Sequence, residues 1–399
     1  MDWISIALER AGAATLEQFQ TGHSLVPTGK LEPETMEALL PYLYGYLVWR
    51  IEKGDTFFKI AQRFGTTVKQ ILAANPQMDP NRLPVGELVT IPLPFSVVPT
   101  DVPFSAGLLR ICLRGLQARY PFLQVETIAR TAMGRPVLAI RIGNGKRVVC
   151  WNGAHHANEW ITTPVLMKFL EDYAQSVVRN GAVSGQNARI LYEAVTLHIV
   201  PMVNPDGVDL VVGEATAAER QAAMQMAAHY PQVPFPDGWK ANLRGVDLNL
   251  QYPAQWELAR ERKFAEGWTQ PGPKNYVGEA PLQEVESAAL YAYTRQIAPD
   301  CILAYHTQGM EIYWQAQEGA PEGAQELGEM MAAVSGYKLE PTPAACDAAG
   351  YRDWFVQEFW RPGYTIEAGL GENPLPIEQF EEIYNHNLGI LMLSLTGGK

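Results

Sequence analysis

The spacing of apolar and polar positions changes along the chain, and the changes divide it. In residues 1–45 the apolar positions recur at helical intervals: Leu16 and Phe19 share one short amphipathic helix. A Pro27-Thr28-Gly29 turn follows, and Glu32-Pro33-Glu34-Thr35 opens a second helix carrying Met36, Leu39 and Leu40. Residues 46–93 alternate differently, predicting a strand (46–51), two short helices (57–64 and 68–74) and a closing strand (88–91). Asp55 or Thr56 is placed to cap the first of these helices, because either side chain can accept from the free N–H groups of the next turn. Residues 94–104 hold Pro94, Pro99 and Pro103 and read as a stiff linker. Beyond it, residues 105–399 form one large domain. Largely apolar strand candidates at 147–151, 195–202, 301–305 and 364–366 alternate with helical stretches such as 162–177 and 284–296. That alternation predicts an α/β domain with a mixed central sheet flanked by helices, behind a small helical segment and a βααβ module.

Composition adds limits. Hydrophobic residues make up 47% and charged residues 19% of the 399, a globular balance that can support more than one core. The net charge of −12, with no Lys/Arg cluster, argues against nucleic acid as a partner. Cys112, Cys150, Cys301 and Cys346 lie far apart, as reduced thiols do, and no apolar run approaches the ~20 residues of a membrane span. The start of the chain has acidic residues where a secretory peptide has basic ones. The expectation is a cytoplasmic chain, or one that reaches the cell wall by release or lysis; oligomeric state is left open.

The chemistry concentrates at predicted strand ends. The strand 147–151 runs into Asn152-Gly153-Ala154-His155-His156-Ala157-Asn158-Glu159. A His and a Glu three residues apart can converge on one ion, and imidazole with carboxylate suits Zn²⁺. A lone His-x-x-Glu is more often a capping pair. His306, closing the strand 301–305, supplies a second imidazole, since ligands at strand C-termini meet in the crevice of an α/β sheet. Two histidines and one glutamate leave a coordination position open, as in catalytic zinc, and a water there needs a base. Glu367, at the end of Tyr364-Thr365-Ile366, is a carboxylate in an apolar setting, which raises its proton affinity.

The ordered series HHANEW, NPDG (204–207), RGVDLN (244–249), AYHTQG (304–309) and YTIEAG (364–369) resembles the zinc metallocarboxypeptidases over nearly all of residues 105–398. The resemblance implies that His156, Glu159 and His306 bind one zinc ion. It also implies that Glu367, fourteen residues after the Asp of Asp353-Trp354, is the general base. His155 falls outside the ligand spacing and reads as a local structural residue. The family's oxyanion-stabilising arginine falls on Lys240, with Arg244 as the other candidate. Its carboxylate-reading Asn-Arg pair is Asn249-Leu250 here, which weakens a strict preference for C-termini. Its substrate-gating tyrosine has no clear equivalent in 342–350; Tyr351, close but out of register, stands with Asn249 and Arg352 as a candidate substrate-binding residue. Arg352, just before the Asp-Trp pair, falls at the floor of the pocket for the side chain after the scissile bond.

Two further resemblances concern the amino-terminal region. I-x-x-GDT-x-x-x-IA-x-x-FG from Ile51, I-x-x-x-NP from Ile71 and LPVGELVTIP from Leu83 resemble a LysM module, which implies binding of N-acetylglucosamine-containing glycan. The run FQTGHSLVPTGKLEPETMEALL resembles the latter part of a helical peptidoglycan-binding module; a plain helical cap is the alternative. Within the peptidase family, HTQGMEIYW, GYRDWF and GLGENPLP together with wall-binding modules resemble the γ-D-glutamyl-L-diamino-acid endopeptidases. The implied function is zinc-dependent cleavage of peptidoglycan stem peptides between D-glutamate and meso-diaminopimelate. The alternatives are a conventional carboxypeptidase acting on peptide tails and an inactive wall-binding protein.

Overall fold

A computed structural model describes residues 3–316, 319–343 and 348–398, and the chain forms two compact units. One comprises residues 1–99, 107–124 and 170–183; the other takes 100–106, 125–169 and 184–399.

In the first unit, helices Trp3–Arg10, Leu16–Gly22 and Pro33–Tyr44 enclose Ala7, Phe19, Leu39 and Leu43. Gln20 is buried at the turn between the last two: its amide donates to Thr35 Oγ1 and Lys30 O and accepts from Gly29 N. The next module has the predicted βααβ order, with strands Tyr46–Arg50 and Leu88–Pro92 antiparallel and helices Phe57–Phe64 and Val68–Ala74 between them. Ile51, Phe57, Ile60, Ile71, Val89 and Ile91 make its core. The cap on the first helix is Thr56, whose hydroxyl accepts from Lys59 N; Asp55 instead accepts from Trp49 Nε1 and Glu52 N. Part of the proline-bearing segment 94–104 packs within this unit. Val97 and Val98 are buried, and their N–H groups both donate to the Glu171 carboxylate, at 2.7 and 3.0 Å.

In the second unit an eight-stranded sheet orders its strands as Lys338–Glu340, Glu311–Tyr313, Gly363–Glu367, Cys301–His306, Arg147–Asn152, Val195–Val200, Pro136–Ile142 and Gln124–Arg130. The four central strands run parallel, and antiparallel neighbours flank them, so the sheet is mixed as expected. Every residue of Cys301–His306 and of Val195–Val200 is buried, because helices cover both faces of a parallel centre. Register aligns Glu367 with His306 and Asn152 with Ala304, so three central strands deliver their C-terminal ends to one edge. Cys150 and Cys301 lie in this interior, and burial pushes both thiols up to about 12, as inert core groups; Cys346 falls outside the described residues.

Candidate metal centre and active site

The chain leaves the strand Arg147–Asn152 through Gly153, where a Cβ would meet Thr162 Oγ1 at 2.9 Å and Leu166 Cδ1 at 3.2 Å. A residue without a side chain lets the loop press against the start of helix Thr162–Arg179. Thr162 Oγ1 accepts from Ala154 N and donates to Glu159 O, closing the loop on itself. Asn204 of the NPDG motif braces it from below. Its amide donates to His155 O (3.2 Å) and Ala241 O (3.0 Å), and its oxygen accepts from Gly207 N. Asn204 thus acts as a strut for the ligand loop.

The loop aims His156 and Glu159 at the end of the strand that carries His306. His156 Nδ1 lies 2.9 Å from Glu159 Oε1, His306 Nδ1 lies 2.8 Å from Glu159 Oε2, and the two Nδ1 atoms are 3.3 Å apart. One ligand atom from each residue falls within 4.8 Å of the others, a spacing that fits a single metal ion. The outer shell fits as well. His156 Nε2 is 3.1 Å from Asp247 Oδ1, and a proton held on Nε2 leaves the Nδ1 lone pair facing the ion. Asp247 is oriented by the N–H groups of Asn249 and Asn275. Burial raises its proton affinity, but His156 and Lys240 outweigh that and hold its carboxyl at about 2. Glu159 behaves alike: burial opposes its charge, yet His156, Lys240 and His306 keep it well below the usual carboxylate range.

Glu367 lines the same cleft as His156, Glu159 and His306. Burial, reinforced by the charge of Glu159, pushes its carboxyl up to about 8, against the pull of Lys240. A carboxylate in that state accepts a proton readily. Lys240 Nζ stands 3.1 Å from Glu159 Oε1; burial lowers its proton affinity, but Glu159, Glu367 and Asp247 raise it further, so it stays an ammonium.

The remaining predicted residues separate. Asn249 enters the cleft, its Nδ2 lying 3.4 Å from His306 Nε2 and its Oδ1 accepting from Tyr351 N. Arg352 also lines the cleft. It is buried, its Nη2 donates to Thr342 Oγ1 and lies 3.0 Å from Asp353 Oδ1, and its Nε and Nη1 have no hydrogen-bond partner among the described residues. Two expectations need correction. Arg244 is a surface residue, its Nε 3.2 Å from Glu284 Oε2, so of the two oxyanion candidates only Lys240 faces the metal ligands. Tyr351 is fully buried with its hydroxyl 2.8 Å from Thr294 Oγ1; its ring is core, and only its backbone N–H serves the site. His155 is structural as read, its Nε2 3.0 Å from Tyr252 Oη. Much of the segment searched for a gating tyrosine, residues 344–347, lies outside the described residues.

Several site residues carried no legible signal. Asn373 donates to Thr307 O beside the ligands, and Tyr313, Lys263 and Asn275 line the cleft from distant elements. Asp247 lies within the RGVDLN motif, and that was the one available clue to it.

Comparison with known proteins agrees with this geometry. A zinc carboxypeptidase family model matches residues 109–388 and a LysM domain model matches residues 50–92. The chain is 44% identical to γ-D-glutamyl-L-diamino acid endopeptidase 1 of Lysinibacillus sphaericus over 283 residues, 71% of this chain and 70% of that protein. It is 39% identical to the uncharacterized protein YqgT of Bacillus subtilis, over 69% of this chain and 73% of that one. In fold it resembles the carboxypeptidase A of Helicoverpa armigera, with a TM-score of 0.56 at 16% identity, covering 85% of this chain and 80% of that one. With its ligand set assembled at the sheet edge, the chain belongs to the zinc carboxypeptidase family and carries a LysM domain ahead of its peptidase domain.

Proposed function

We propose that this zinc peptidase cuts the amide between γ-linked D-glutamate and meso-diaminopimelate in peptidoglycan stem peptides, while its amino-terminal modules hold the glycan. His156, Glu159 and His306 would hold the zinc ion, which when bound would supply Lewis acidity to the amide carbonyl and to a water. Glu367 takes a proton from the attacking water as its oxygen bonds to the carbonyl carbon. Lys240 offers its ammonium to the oxygen that becomes negative. Glu367 then returns the proton to the departing nitrogen as the C–N bond breaks. Glycan binding by the LysM module would raise the local concentration of stem peptide around this cleft.

The observation that carries the substrate reading is Arg352. Its buried guanidinium lines the metal cleft, and the three N–H groups on Nε and Nη1 have no partner among the described residues, an arrangement that suits a planar anion. Meso-diaminopimelate carries a second carboxylate at the far end of its side chain, whereas lysine has an ammonium there. The similarity to an endopeptidase named for this bond supports the same reading. We expect kcat/KM on purified diaminopimelate stems to exceed that on lysine stems by roughly a hundredfold, a few kcal/mol for a desolvated charge contact. Arg352→Glu should shift preference toward lysine stems with zinc content unchanged. Equal kcat/KM on both stems in the wild type would remove Arg352 from substrate recognition. Release of C-terminal residues from ordinary peptides, with stems untouched, would make this a conventional carboxypeptidase.

A further inference from the structure

The metal cleft has a second lobe that the reading above leaves unused. It has a volume of about 130 Å³ and shares His156, Lys240 and Asn249 with the lobe holding Arg352. The rest of its lining is Lys263, from helix Trp256–Ala265, with Asp247, Leu250, Asn275 and Ala348.

Lys263 is unusual for a lysine in an acidic chain of net charge −12. Its side chain is only 13% exposed, and its ammonium is 3.1 Å from Glu266, a half-exposed carboxylate on the solvent side. The ammonium reaches both oxygens of that carboxylate, at 3.1 and 3.3 Å, so of its three donors one remains for a ligand in the lobe that it lines. The other groups around the lobe are already committed. Asp247 serves His156 and the N–H groups of Asn249 and Asn275, and Leu250 and Ala348 offer no charge. The lobe is therefore lined by two ammonium groups, Lys263 and the Lys240 that is held by Glu159, together with Asn249, Asn275, the committed Asp247 and the apolar Leu250 and Ala348.

Resting on the stem-peptide reading, we propose that this lobe is a carboxylate-reading subsite, with Lys263 as its cation, for a free carboxylate that flanks the scissile bond. A γ-linked glutamyl residue, by its chemistry, leaves its α-carboxylate free on one side of the bond. A stem that ends at the diamino acid leaves another on the other side. Either would meet Lys263 with Arg352 occupied at the same time, because the two lobes join at Lys240 and Asn249. The enzyme would then read its substrate by two anions as well as by the amide.

The test uses the full zinc-loaded chain and three synthetic stems: L-Ala-γ-D-Glu-meso-diaminopimelate, the same peptide with the glutamyl α-carboxylate amidated, and the same with the diaminopimelate main-chain carboxylate amidated. We expect amidation at one of the two positions to lower kcat/KM roughly tenfold or more, the scale of a charge-assisted hydrogen bond, and the position that responds names the source. Lys263→Met should bring the acid-to-amide ratio close to one, and Lys263→Arg should keep it well above one; zinc content and near-ultraviolet circular dichroism report that both variants are folded. A wild-type ratio near one at both positions, with the stems turned over, overturns the subsite alone. An unchanged ratio in Lys263→Met assigns the carboxylate to another cation and also overturns it. No cleavage of any stem overturns the stem-peptide reading and this inference together.

Discussion

At the residue scale, the site works by setting neighbouring carboxyl groups apart. Glu159 and Glu367 share one cleft, yet Glu159 is surrounded by His156, His306 and Lys240 while Glu367 meets mainly burial and the charge of Glu159. The first is thereby fixed as an anion suited to a ligand, and the second as a group that can take and return a proton. His156→Ala or His306→Ala should therefore lose zinc and activity together by metal analysis and assay. Glu367→Gln should keep zinc while kcat falls by roughly two to four orders of magnitude. Near-normal turnover in Glu367→Gln would refute its role as base. The pH dependence follows in sign. A base must be deprotonated, so kcat/KM should fall as pH drops through the Glu367 pKa. The metal's charge acts in the same direction as Lys240 and lowers that pKa, so the acid limb should lie below the value of about 8 set by burial and Glu159. A flat profile from pH 5 to 8 would separate Glu367 from the rate, and the limb should vanish in Glu367→Gln. The family resemblance of the ordered motifs made this pair legible where spacing alone did not, but it left Lys240 and Arg244 both open. That choice depends on Glu284, which is distant in sequence and holds Arg244 at the surface.

At the scale of elements, the ligand loop is held by neighbours that do no chemistry. Asn204 spans three backbone groups of the loop and the segment beneath it, all of them buried. Asn204→Ala would leave the carbonyls of His155 and Ala241 without their donor, at a cost of roughly 2–3 kcal/mol. We expect the denaturant midpoint to fall and zinc to be lost to a competing chelator at lower chelator concentration, with Glu367 chemistry intact when zinc is saturating. Unchanged zinc affinity would show that the loop holds its shape without the strut. The central strands and the βααβ module were legible because their apolar runs and capping residues are local signals. The strands Glu311–Tyr313 and Lys338–Glu340 were not, being three residues each, too short for a period. Tyr351 was misplaced for a related reason: sequence put it beside Arg352, but the helix Tyr351–Phe359 turns successive side chains to different faces, one into the core and one into the cleft. Lys263 and Asn275 escaped notice because their place in the cleft is set by tertiary packing, which no local pattern encodes.

At the scale of the whole molecule, the two compact units are not consecutive stretches of the chain. The unit built on the amino-terminal modules also contains residues 107–124 and 170–183, which sequence assigned to the peptidase domain. Within that unit, Gly115 approaches so closely that a Cβ would lie 2.1 Å from Tyr44 O, the Arg114 guanidinium sits 4.3 Å from the centre of the Tyr44 ring, and Ile111 packs on the cluster of Ala7, Phe19, Leu39 and Leu43. Arg119 is buried beside Glu171 at 3.5 Å and donates to Phe95 O, and Arg10 Nη2 donates to Val97 O at 2.8 Å. These contacts bind residues 107–119 and 170–179 into the same unit as the first 99 residues. Modules tethered by a free linker would melt independently, and removing them would leave the peptidase transition where it was. A shared core predicts otherwise. Deleting residues 1–93 strips apolar cover from Ile111 and a backbone neighbour from Gly115. The loss of two or three buried apolar side chains' worth of contact amounts to several kcal/mol. For a folded body of this size that corresponds to a drop in melting temperature of roughly 5 °C or more. Scanning calorimetry of the zinc-loaded full chain and the truncated form would decide it. A truncated protein that melts at the full-length temperature would mean that the amino-terminal modules contribute glycan affinity without supporting the peptidase fold, and that the shared core contributes nothing to its stability.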